Sequence, residues 1–161
     1  MARSFILKLL LVGSALCALV VTLLPASAQA EPLYFALEVR RAGRLVAQPK
    51  LLGETGRTVR AERRQPGAAQ PDYRLVLTPS GGGKESFQVE LDLALGYGQG
   101  TGHGELSLLH GEQRKVQLGR VPGELEVSLL VMKVDSPEFK ALMDLGAENA
   151  DRAQACKTCN I

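Results

Sequence analysis

The chain has 161 residues, enough for one ordinary domain. It carries 19 Lys+Arg and 17 Asp+Glu. Two of the basic residues, Arg3 and Lys8, lie in a segment that reads as a removable signal, so the remainder is formally neutral. That remainder has no Trp and six aromatic residues, which argues against nucleic-acid binding by charge or by stacked bases.

Residues 1–30 have the three parts of a secretory signal. Arg3 supplies the charged start, an apolar run extends from Leu9 to Leu24, and Pro25 ends it. Ala26-Ser27-Ala28-Gln29-Ala30 offers small-x-small frames for cleavage. The expectation is cleavage after Ala30, a periplasmic or secreted address, and no transmembrane segment in the mature chain.

From Leu33 the hydrophobic period is two. Leu33, Phe35, Leu37 and Val39 alternate with Tyr34, Ala36, Glu38 and Arg40, which predicts a strand with one dry face. Ala42-Gly43 reads as a turn. Leu45–Leu52 is a second apolar stretch, and Pro49 makes it an edge strand or breaks it. Thr58–Glu62 is a short strand with Val59 and Ala61 on one face. After a Pro/Gly/Ala loop at residues 65–71, Tyr73, Leu75 and Leu77 alternate again.

Residues 79–84 read as a flexible connection. Phe87, Val89, Leu91, Leu93 and Leu95 then give the clearest strand. Glycines at every second position from Gly96 to Gly104 predict a mobile loop, because such a run offers no side chains to pack. Residues 105–109 and 115–118 flank His110-Gly111-Glu112 as an expected hairpin. Val121-Pro122-Gly123 turns the chain into a last strand with Leu125, Val127, Leu129 and Val131 on one face. Ser136, Pro137 and Glu138 announce a helix start. Phe139, Leu142 and Met143 share its apolar face, and Gly146 is a candidate end.

The two halves follow one plan. Leu33 corresponds to Phe87, Leu51 to Leu106, Gly56 to Gly111 and Tyr73 to Leu125, at separations of 54, 55, 55 and 52 residues. Near-constant spacing suggests a two-fold internal repeat. The fold class expected is all-β: an Ig-like sandwich of seven or eight antiparallel strands over residues 31–135, followed by a short C-terminal helix and a Cys-x-x-Cys tail over 136–161.

Charge divides unevenly. Residues 31–84 hold ten basic and five acidic side chains, and residues 85–161 hold seven and twelve. Arg57, Arg60, Arg63 and Arg64 form a candidate partner-binding surface for an acidic partner.

Cys156 and Cys159 are the only cysteines after residue 30. In an oxidising compartment so close a pair forms a local disulfide. Two thiolates could instead hold Cu(I) or Zn(II), with ligands still to find, or exchange with another dithiol. His103 and His110 are seven apart, so along one continuous strand they face opposite ways. Gly81-Gly82-Gly83-Lys84 lacks the Ser/Thr and the helix of a phosphate loop. Glu90 and Asp92 share the wet face of an amphipathic strand, and Ser107 lies near His110 with no nucleophile turn around it. Nothing here calls for a cofactor or a catalytic role. The sequence reading is therefore an exported, non-catalytic binding or assembly accessory of the cell envelope, acting through a strand edge or the arginine-rich face. Metal handling or thiol–disulfide exchange at the tail are the alternatives.

Overall fold

The computed structural model describes residues 30–83, 85–119 and 121–158, with side chains described to residue 148. Residues 1–29 of the expected 1–30 signal, and Cys159, lie outside the described residues. The chain is an all-β sandwich with one C-terminal helix. Its elements are β1 (Pro32–Arg41), β2 (Arg44–Ala47), β3 (Lys50–Glu54), β4 (Val59–Arg63), β5 (Tyr73–Gly81), β6 (Ser86–Leu95), β7 (Gly100–Leu109), β8 (Gln113–Leu118), β9 (Leu125–Lys133) and α1 (Pro137–Thr158).

Two antiparallel sheets make up the layers. One runs β2–β1–β9–β8, with β3 also on β1; the other runs β4–β5–β6–β7. Pro49 interrupts the apolar stretch, as its missing N–H requires. β2 and β3 lie on either side of it and together occupy one position beside β1. Nine strands thus fill eight positions. Ala42 and Gly43 both take positive φ in the tight turn from β1 to β2, the geometry that matches strand twist.

The alternation read from the sequence sets the interior. Leu33, Phe35, Leu37 and Val39 of β1, with Val127, Leu129 and Val131 of β9, face Phe87, Val89, Leu91 and Leu93 of β6 and Leu75 and Leu77 of β5. All are buried. Each such side chain contributes about 1.5–3 kcal/mol by leaving water.

The registers of the two sheets correspond. β1 meets β9 in nine steps, from Leu33 opposite Lys133 to Arg41 opposite Leu125. β6 meets β5 in nine steps, from Phe87 opposite Gly81 to Leu95 opposite Tyr73. The sequence offsets of 54 and 52 carry one set of pairs onto the other. The offset of 55 does the same for the outer strands. Leu33 opposite Gly53 becomes Phe87 opposite Leu108, and Arg114 opposite Leu129 becomes Val59 opposite Leu77. The two halves are therefore related by a topological two-fold, each supplying strands to both sheets.

Three local expectations are corrected. β5 continues through Pro79 and Ser80 to Gly81, so the connection before β6 is shorter than the sequence implied. The glycine run from Gly96 is a loop only to Gln99, and Gly100–Leu109 is a full strand paired with all ten residues of β6. The reason lies across the sheets. A Cβ on Gly102 would sit 2.4 Å from Leu118 Cβ, and one on Gly104 would sit 2.6 Å from Leu118 Cδ2. Missing side chains let β8 lie against β7. Finally, His110-Gly111-Glu112 does not close a hairpin within one sheet. The His110 N–H donates to the Glu85 carbonyl beside β6, and the next N–H, of Gly111, donates to Val131 in β9. The chain changes sheets between these two residues.

At the end of β9, Ser136 caps α1. Its hydroxyl accepts the Phe139 N–H at 3.1 Å. Phe139 packs on Tyr34 with ring centroids 5.2 Å apart, and α1 then passes through Gly146 to Thr158.

Replacing Gly102 by Ala should lower unfolding free energy by about 1–3 kcal/mol in urea denaturation, because the new methyl overpacks the seam. Gly81→Ala, where a Cβ meets nothing within 4 Å, should leave the midpoint almost unmoved. Equal effects would show that the seam does not need its missing side chain.

Candidate functional site

Two surfaces bring polar side chains together. The first is the seam where β3, an edge of one sheet, meets β4, an edge of the other. Among the described residues β3 pairs only with β1, and β4 only with β5, so each presents an outer row of backbone groups to a newcomer. Here too the sheets approach at a glycine: a Cβ on Gly53 would lie 2.3 Å from Val59 Cγ2. A groove of about 570 Å³ follows the seam, lined by Leu52, Gly53 and Val59 together with Arg57 and Arg60. Leu52 is 66% exposed, so its side chain is open to a partner beside this edge.

The four arginines that cluster in the sequence do not form one surface. Arg57 and Arg60 line the seam groove. Arg63 and Arg64 lie at the opposite end of β4, tied to Asp72 at 3.7 Å and Glu62 at 3.0 Å. Glu62 also takes Arg74 at 3.2 Å. Arg74 first, then Arg64, hold the Glu62 carboxyl below its ordinary range. Arg57 pairs with Glu54 at 3.0 Å, an exposed contact of small energetic weight. Among the described residues Arg60 has no carboxylate within ion-pair distance.

The second surface is the outward face of the β4–β7 sheet. Glu90 and Asp92 alternate along β6, and His103 of β7 stands directly opposite Asp92. His103 Nδ1 lies 2.8 Å from Asp92 Oδ1, and Nε2 lies 3.9 Å from Glu90 Oε1. Glu105 faces Glu90 across the same two strands. The hydrogen bond to Asp92 raises the His103 pKa above its ordinary value, and the nearby charges of Asp92, Glu90 and Glu105 add to this. An imidazolium set between two carboxylates is the arrangement this face favours.

Sequence reasoning treated these residues separately. The local pattern alone puts Glu90 and Asp92 on a wet strand face and His103 in the glycine-rich loop. Only the pairing of the glycine run with β6 puts the histidine beside them. The available signal was the spacing of Gly100, Gly102 and Gly104, which leaves Thr101, His103 and Glu105 on the opposite face of a strand.

His110 does not join this group. The Lys133 N–H donates to its Nδ1 at 3.1 Å, which leaves Nε2 to donate to Glu138 Oε2 at 3.3 Å. It fastens the β7–β8 turn to the start of α1. Ser107 faces Gln88 on the outer sheet surface, so it does not share the His110 environment. Cys156 falls within α1, in the part described as backbone, and the pairing of Cys156 with Cys159 lies outside the described residues. Among the described residues no helix is long and apolar enough to cross a membrane.

The chain matches no family model, and comparisons with curated proteins and with solved structures return no match.

The His103–Asp92 pair has a defined pH signature. A histidine whose folded pKa is raised adds stability that is fully present below its unfolded value and fades as pH rises through the folded value. Asp92→Asn should therefore lower the His103 titration midpoint in NMR. Its destabilisation should be larger at pH 5 than at pH 9. An unchanged midpoint would mean that Asp92 does not hold the proton.

Proposed function

We propose that this chain is an exported, non-catalytic binding or assembly module of the cell envelope, and that it takes its partner at the β3–β4 seam. The observation that carries the reading is the coincidence of three features in one groove. Two edge strands end their hydrogen-bond ladders there, Leu52 is largely exposed, and Arg57 and Arg60 line the same hollow. An extended segment added to a sheet edge gains affinity from backbone bonds and specificity from alternate side chains. Here an apolar residue would cover Leu52, and an acidic one would meet Arg60. The signal-like anatomy of residues 1–30 supports the envelope address.

Electrostatic contacts at such a rim govern encounter and partner choice more than depth of binding. Binding should therefore weaken as salt rises, since a Debye length is about 8 Å at physiological ionic strength. Arg63 and Arg64, at the other end of β4 and outside the groove, are expected to contribute less than Arg57 and Arg60, which line it.

Photo-crosslinking from position 52 in envelope extracts tests the reading. The expected result is a discrete adduct that R57E/R60E reduces at least several-fold, while R63E/R64E leaves most of it. No adduct from position 52 rejects the seam. An adduct indifferent to R57E/R60E removes the arginine pair from the mechanism.

A further inference from the structure

We propose that Glu90, Asp92 and His103 form a binding site for a divalent transition-metal ion, best suited to zinc, on the outward face of the β4–β7 sheet. This site is separate from the seam and does not depend on how the seam is used.

The ligand set is one imidazole and two carboxylates, a combination that suits zinc and its neighbours better than magnesium or calcium, which prefer oxygen throughout. One donor atom from each residue lies within 4.8 Å of the other two. Around a tetrahedral ion with bonds near 2.1 Å, donor atoms stand about 3.4 Å apart. The three side chains thus need to close by an ångström or so, which exposed rotamers can supply. Their backbones need not move. β6 is paired over nine of its ten residues with β5 and over all ten with β7, and sites carried by paired strands hold their geometry better than sites on loops.

The surface beside the three residues leaves open space. Asp92 and His103 also line a hollow of about 570 Å³, with Arg74 and Thr101 among its other walls. The positions of the ion not taken by protein would have room for water or a small anion. The opposition of Glu90 and Glu105 across β6 and β7 adds a cost, because like charges directly opposite destabilise a sheet. A dication between the strands would offset it. A proton on His103 would compete with the ion for the same imidazole. Binding must displace that proton, so the apparent affinity should rise with pH until His103 is neutral.

The test is titration with zinc chloride of the protein carrying Cys156→Ser and Cys159→Ser, so that tail thiolates cannot compete. Calorimetry reads the stoichiometry, and NMR reads the two imidazole rings separately. The expected result is one ion per chain, with the His103 ring shifting and the His110 ring unmoved. His103→Gln and Asp92→Asn should each weaken binding about tenfold or more. Ser107→Ala on the same outward face should leave it unchanged. These side chains are more than half exposed, so the variants should stay folded at the pH of the titration, with at most a small shift of the thermal transition; circular dichroism checks this. Zinc affinity weaker than millimolar, affinity indifferent to His103→Gln, or shifts confined to His110 would each overturn the proposal.

Discussion

The architecture depends on two lines along which the sheets come together because a side chain is absent. At one, Gly53 admits Val59; at the other, Gly102 and Gly104 admit Leu118 and Val116. Two sheets packed face to face ordinarily stand about 10 Å apart, a distance that the inner leucines, valines and phenylalanines fill. At the margins that spacing must fall if the core is to be sealed. Glycine permits the approach at no steric cost, although it brings more conformational entropy to be lost on folding. The burial of Leu118 at the second line is part of what offsets that loss.

The correspondence of registers shows how far one plan can be varied. Each half gives strands to both sheets, and every inner position is constrained by the half that faces it. The outer positions carry no such constraint, and they are where the halves diverge. The first half places arginines along β4 and leaves Leu52 bare beside it. The second half places carboxylates on β6 and β7 and appends α1, which Ser136 and Glu138 start and His110 anchors. The charge division between residues 31–84 and 85–161 is the sequence trace of that divergence. On the folded molecule the basic strand β4 edges one side of its sheet and the acidic strands β6 and β7 make up the other side, so that sheet is polarised although residues 31–161 together are formally neutral.

What was legible in the sequence was local. The alternation of Phe87 to Leu95 announced its strand and its buried face without ambiguity, and Pro49 announced a break. The repeat offsets were also readable, because inner apolar residues and turn glycines recur wherever the same unit is built. The β7 strand was hidden for the converse reason. Glycines announce a face only through what approaches it, and Leu118 is fourteen residues beyond Gly104. The change of sheets at Gly111 was equally hidden, since a turn between two strands looks the same whether they share a sheet or not. It is fixed by Glu85 and Val131, distant carbonyls that no local pattern identifies. With β7 misread, the meeting of His103 with Asp92 was out of reach, because a cross-strand pair is a property of register.

The same distinction separates the two surfaces by mechanical character. The seam lies between strands that each have one neighbour, and edges of this kind open and accept another strand at modest cost. Glu90 and Asp92 stand on β6, which has neighbours on both sides and buries every second side chain, and His103 stands on β7, which pairs with all ten residues of β6. Moving His103 relative to the two carboxylates in the backbone would require breaking the ten-residue ladder between β6 and β7. An edge that can yield favours recognition of an extended chain, whose own backbone completes the ladder. A face that cannot yield favours a small ligand, for which the spacing of donors decides the affinity. The fold thus offers one compliant and one rigid surface, and both arise from where the glycines let the sheets meet.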